Sequence, residues 1–186
     1  NSSGSGCGND TASERYMYGK FMVESVSYWQ QEYHLDGFRF DLMGLHDMDT
    51  MQQVESVVHT YDPEAIIYGE GWQMMVNAYG SAVSAHQGNI AKIQATNNAI
   101  GTIAVFNDTT RVGLKGESDD ATKGFISGNA SSFYREKVLF GVNGGVGASA
   151  GSWWQVNNDM VVNYLSAHDN STLWDKLMIV HGTSDT

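Results

Sequence analysis

Two hydrophobic rhythms alternate along the chain. Over residues 37–43 the period is two, with Phe38, Phe40 and Leu42 on one side and Arg39 and Asp41 on the other. That is the period of a strand, and its apolar face suits cover by helices. Ahead of it, Tyr18, Phe21, Met22, Ser25, Val26 and Trp29 recur at helical spacing. They predict a helix that ends near Tyr33 and buries Trp29. Thr11 and Glu14 stand before it at capping-box spacing. After the strand, Met51, Val54, Val58 and Tyr61 form the stripe of a second helix, with Asp49 and Gln52 in the capping-box positions. Pro63, the only proline, falls in the turn before a second strand at 65–68. Strand, helix, strand indicates a parallel unit with a right-handed crossover.

The periodicity then weakens. Residues 71–100 are rich in Asn, Gln, Ser and Gly and read as an extended loop with room for one short helix. A third strand is predicted at 102–106, running into Asn107 and Asp108, followed by a polar, mostly loop stretch at 109–129. A helix is expected over 131–140 through Phe133, Val138 and Leu139. Residues 141–151 hold five glycines in eleven positions; no strand precedes them and no helix follows, so they read as a flexible loop and not a phosphate cradle. A fourth strand is expected at 159–165 and a final helix from 174 to 180. The whole is read as one domain over 1–186.

Composition narrows the partners. Ten basic residues against 21 acidic ones give a formal net charge of −11, which argues against nucleic acid and anionic membrane and is compatible with a neutral ligand. No apolar run approaches a membrane span. A single cysteine, Cys7, excludes an internal disulfide and a cysteine-based zinc cluster. The chain starts at Asn1 with no initiating Met and no signal peptide, and it reads as part of a longer sequence.

The candidate chemistry sits at strand ends. Arg39 beside Asp41 favours an ionised carboxylate, as a nucleophile requires, although an ion pair at a strand end would look the same. The second strand delivers Glu70, and the fourth leads to His168 and Asp169. Acids at the C-terminal ends of successive parallel strands are the arrangement of a (β/α)8 barrel active site. Adjacent strands lie about 4.8 Å apart, which brings Asp41 and Glu70 within reach of the roughly 5–5.5 Å that a retaining glycosidase needs between its carboxyl groups. His46, Asp47 and Asp49 have the composition of a metal cluster but no defined ligand spacing. They read as the loop entering the second helix, and no metal is assigned. Trp72 suits stacking on a sugar ring and core packing equally, and at least one of Trp153 and Trp154 is expected to be exposed.

Three stretches, Asp36-Gly37-Phe38-Arg39-Phe40-Asp41, Tyr68-Gly69-Glu70-Gly71-Trp72 and Ser166-Ala167-His168-Asp169-Asn170, resemble signature regions of the α-amylase superfamily of glycoside hydrolases. Gly4-Ser5-Gly6-Cys7-Gly8-Asn9-Asp10, Asp41-Leu42-Met43-Gly44-Leu45-His46-Asp47 and Asn170-Ser171-Thr172-Leu173-Trp174-Asp175-Lys176-Leu177 are similar, more narrowly, to type I pullulanases. The resemblance implies an α/β fold, a TIM-barrel fragment running from about the third helix to the seventh strand. It implies hydrolysis of α-1,6 branch linkages in an α-glucan, with Asp41 as nucleophile, Glu70 as a drier general acid/base that titrates higher, and Asp169 as the third carboxylate. Arg39, His168 and Trp72 would be substrate-binding residues. No cofactor is implied, calcium being a feature of the complete enzyme, and the family suggests a secreted or cell-surface setting. An isoamylase, an α-amylase or a non-catalytic carbohydrate-binding piece are the rival readings. The isolated chain is expected to be inactive.

Overall fold

A computed structural model describes residues 3–76, 80–97, 102–145 and 160–182. It forms two compact units, Asn1–Val105 and Phe106–Thr186. The first opens with helix α1, Tyr16–Tyr33, closed by His34 in the left-handed region at φ 55°. The expected capping box is absent: the N-cap is Arg15, which caps with no side chain. The buried face of α1 is also rotated from expectation. Met22, Val26 and Gln30 are buried, whereas Phe21 and Trp29 are exposed. Trp29 stacks instead on Tyr33, with ring centroids 4.6 Å apart. Gln30 can be buried because its amide donates to the Val58 carbonyl at 3.1 Å, tying α1 to the end of the second helix.

That second helix, α2, spans Met48–Tyr61 and packs against α1. Its cap is Asp47 and not the expected Asp49: the Asp47 carboxylate accepts the Thr50 N–H at 2.9 Å, and Ser13 Oγ accepts the Asp47 N–H at 2.8 Å. The bland reading of His46, Asp47 and Asp49 as helix entry is therefore the observed one. Met51, Val54 and Val58 are wholly buried as expected, but Tyr61 lies exposed. Each buried apolar side chain of this stripe contributes about 1.5–3 kcal/mol.

Strand β1 is Gly37–Phe40 and β2 is Ile66–Gly69. They pair in parallel, Phe38 beside Ile67 and Arg39 beside Tyr68. Strand β3, Ile103–Asn107, pairs in parallel with β2, Ile67 beside Ile103 and Gly69 beside Val105. The alternation thus puts Phe38, Phe40, Ile67, Ile103 and Val105 on one face and Arg39, Tyr68 and Ala104 on the other. The stretch after β2 is held down. A 3-10 turn at Gly80–Ala82 precedes α3, Gln87–Asn97, and between them Ser84 Oγ donates to the Gly44 carbonyl at 2.6 Å.

The second unit holds helix α4, Asp108–Lys115, where a loop was expected. Asn107, the last residue of β3, caps it by accepting the Thr110 N–H at 3.1 Å. A 3-10 turn at Phe125–Ser127 leads to α5, Ser132–Val142, which packs on α4. Its buried residues are Tyr134, Phe140 and Gly141, while Phe133 and Leu139 lie exposed. Strand β4 is Val161–Asn163 and helix α6 is Leu173–His181. β1, β2 and β3 lie side by side in sequence order. Trp153, Trp154, Asp159 and the glycine-rich stretch beyond residue 145 lie outside the described residues. The described residues hold four strands interspersed with helices, half the strand number of a closed barrel.

Candidate active site

In the first unit the site begins where β1 ends. The strand stops at Phe40, so the alternation does not carry to Leu42. Leu42 turns into the left-handed region at φ 47° and starts a 3-10 turn at Met43–Leu45. A non-glycine residue holds that conformation only when its surroundings over-determine it. Here Glu70 does so: the Leu42 N–H donates to Glu70 Oε2 at 2.6 Å. The main chains lock as well, with the Glu70 N–H on the Phe40 carbonyl at 3.1 Å and the Gly44 N–H on the Glu70 carbonyl at 3.0 Å. No room is left there for a side chain. A Cβ on Gly44 would strike the Trp72 carbonyl oxygen, and one on Gly69 would lie 2.6 Å from the Phe40 carbonyl oxygen.

Arg39, Asp41 and Glu70 come together as expected. Arg39 Nη1 pairs with Asp41 Oδ1, and Nη2 lies 3.3 Å from Glu70 Oε1. One guanidinium therefore faces two carboxylates from neighbouring parallel strands. Their surroundings differ sharply: the Asp41 side chain is 62% exposed and that of Glu70 9%. An open carboxylate beside a dry one is the division of environments that separates the two roles of a glycosidase pair. Trp72, two residues beyond Glu70, is half-buried, which leaves stacking and packing both open.

In the second unit, the end of β4 is anchored by side chains. Asn163 Oδ1 accepts from Asn107 Nδ2 at 3.0 Å and from Thr110 Oγ1 at 3.1 Å, and its own amide donates to the Gly141 carbonyl at 2.9 Å. Arg111 Nη1 donates to the Tyr164 hydroxyl at 2.8 Å. The chain then delivers His168 and Asp169, whose side chains are 57% and 58% exposed and lie 3.5 Å apart. Sequence reasoning passed over Lys115, which donates to the Ser171 carbonyl at 3.0 Å, and Asp119, which accepts the Ser171 N–H at 3.0 Å. The only signal was a lysine and an aspartate in a polar stretch, which is no signal by itself. Among the described residues, no group of three or more His, Cys, Asp or Glu side chains could hold a metal ion.

Two carboxylates of unlike environment at the C-terminal ends of adjacent parallel strands are an arrangement that glycoside-hydrolase barrels use. The relatives agree. This chain is homologous to part of pullulanases. It is 36% identical over 177 residues to the pullulanase of Bacillus subtilis, covering 95% of this chain and 23% of that protein. The crystal structure of pullulanase type I from Bacillus subtilis complexed with maltose matches 99% of this chain and 25% of its own, at 33% identity and a TM-score of 0.84. That of pullulanase from Paenibacillus barengoltzii, a complex with maltohexaose and α-cyclodextrin, matches 98% of this chain and 27% of its own, at 39% identity and a TM-score of 0.83. The chain thus spans about a quarter of the length of these relatives. No protein-family model matches it. Among the described residues no helix is long and apolar enough to cross a membrane.

Proposed function

We propose that this chain carries the nucleophile, the general acid/base and a third carboxylate of an α-1,6-glucan debranching hydrolase. The observation that supports this most is the shared guanidinium of Arg39, which holds an exposed and a dry carboxylate together at the ends of adjacent strands. In the first step an Asp41 oxygen attacks the anomeric carbon while Glu70 protonates the glycosidic oxygen, so the branch bond breaks and a glycosyl ester forms on Asp41. In the second, the Glu70 carboxylate takes a proton from water, whose oxygen attacks the same carbon and releases Asp41. Two inversions give retention. Asp169 would bind substrate hydroxyls and favour the distorted, oxocarbenium-like sugar, His168 would hydrogen-bond a hydroxyl, and Trp72 would offer a stacking face. The maltose and maltohexaose bound to the related pullulanases fit an α-glucan as substrate.

The test is a reducing-sugar assay on the complete protein that carries this chain, with pullulan and amylose in parallel. Debranching products from pullulan are expected. Products from amylose alone would point to an amylase-type activity, and no products from either would leave a carbohydrate-binding role.

A further inference from the structure

Two lysines of the second unit are buried, Lys115 at the end of α4 and Lys176 in the first turn of α6, at 1% and 0% exposure. A buried ammonium is tolerated only where oxygen atoms take up its protons. Lys115 Nζ donates to the Ser171 carbonyl at 3.0 Å. Lys176 Nζ donates to the carbonyls of Glu117 and Asp120, both at 2.5 Å, and to Asp120 Oδ1 at 3.3 Å. Burial, and then the nearby Arg111 charge, push the Lys115 ammonium below its usual range, so its place is kept at a cost.

Asp119, between the two residues that Lys176 holds, reaches the opposite way. Its carboxylate accepts from Asn170 Nδ2 at 2.7 Å, from the Ser171 N–H at 3.0 Å and from Ser171 Oγ at 3.2 Å. Residues 117–120 are therefore tied to 170–171 by Asp119 and to the first turn of α6 by Lys176, while Lys115 holds Ser171 from α4. The second of these segments directly follows His168 and Asp169, and Asn170 in it sits in the left-handed region at φ 61°. The His168 and Asp169 side chains are more than half exposed, so the position of their backbone decides where they reach.

We infer that Lys115, Asp119 and Lys176 are positioning residues for Asp169, a clamp that sets the backbone from which this carboxylate reaches substrate. The inference rests on the reading of Asp169 as a substrate-binding carboxylate. The clamp explains why α4 buries a lysine and why the first turn of α6 buries another, features that a purely apolar packing would serve at lower cost.

The test uses the complete protein that carries this chain, with D119A, K176M, D169N and the double variant D119A/D169N. Asp119 is exposed, so D119A keeps the fold. D119A is expected to lower kcat on pullulan about tenfold with a smaller change in KM, as small displacements of catalytic groups do. It should cost nothing further in the D169N background. Amide hydrogen exchange at Ser171 should speed up at least about tenfold in D119A and in K176M, while protection in α5 holds. Unchanged exchange at Ser171, or an equal proportional loss of turnover with and without Asp169, overturns the clamp. Full turnover in D169N would sink the role of Asp169 instead, and exchange at Ser171 would then decide the clamp by itself.

Discussion

Leu42 donates its backbone N–H to the Glu70 carboxylate at 2.6 Å, across 28 residues of sequence. The bond does two things. It supports the left-handed turn at Leu42, directly after Asp41 and just past the end of β1, and it fixes one oxygen of Glu70 while the other faces Arg39. The candidate nucleophile and acid are thus set by one turn and one guanidinium.

Asp41→Asn in the complete protein is expected to abolish turnover and leave the fold intact. The side chain is largely open to solvent, and an amide forms no glycosyl ester. Turnover above about one per cent of the parent would remove Asp41 from the nucleophile's role, because loss of a covalent nucleophile costs several orders of magnitude.

Glu70→Gln should damage natural glucans far more than aryl glycosides with acidic leaving groups. A leaving group of low pKa departs without protonation. The carbonyl oxygen of the introduced amide can still accept the Leu42 N–H, so the turn survives the change. Equal losses on the two substrate types would assign Glu70 another task.

Asp47 and Asp49 offer a direct comparison of two candidate caps. Asp47→Ala removes the side chain that accepts the Thr50 N–H and should destabilise by about 1 kcal/mol. Asp49, on the exposed first turn, should change stability by less than about 0.5 kcal/mol when replaced by Ala. Denaturant midpoints would settle the order, and a larger effect at Asp49 would reverse it.

His46 gives the fold a pH dependence of known sign. Burial is the main cause that pushes its pKa below the usual imidazole value, with the Asp47 charge opposing. The unfolded chain therefore binds the proton more readily, and folding stability falls as pH drops from the ordinary histidine value, about 6.5, towards the lowered one. His46→Phe should flatten the difference in Tm between pH 7.5 and pH 5. An unchanged difference would show that other groups carry it.

The elements that sequence made legible are those whose side chains follow one rule at a time. The alternation of Phe38, Arg39 and Phe40 announced the strand and its two faces, because a strand separates its faces residue by residue. The stripe of Met51, Val54 and Val58 was equally plain. Helix α4 was not, since half of its buried set is Thr110 and Lys115, polar groups whose burial depends on partners remote in sequence, such as Asn163 and Ser171. Trp29 and Phe21 misled for a related reason. Their spacing marks a helix face, but the neighbouring helix α2 takes up the face of Met22, Val26 and Gln30. Asp47 and Asp49 both precede good helix formers, and the choice between them was made by Ser13, which accepts the Asp47 N–H.

The backbone crowding at Gly44 and Gly69 bears on how this site can change. Any side chain at either position would meet a carbonyl oxygen of the opposing segment, so neither is open to substitution without moving Asp41 or Glu70. Gln73 and Val76, by contrast, are exposed on the segment that follows Glu70. Laboratory evolution of the site's preferences would therefore lose its clones at 44 and 69 and gather its survivors at 73 and 76.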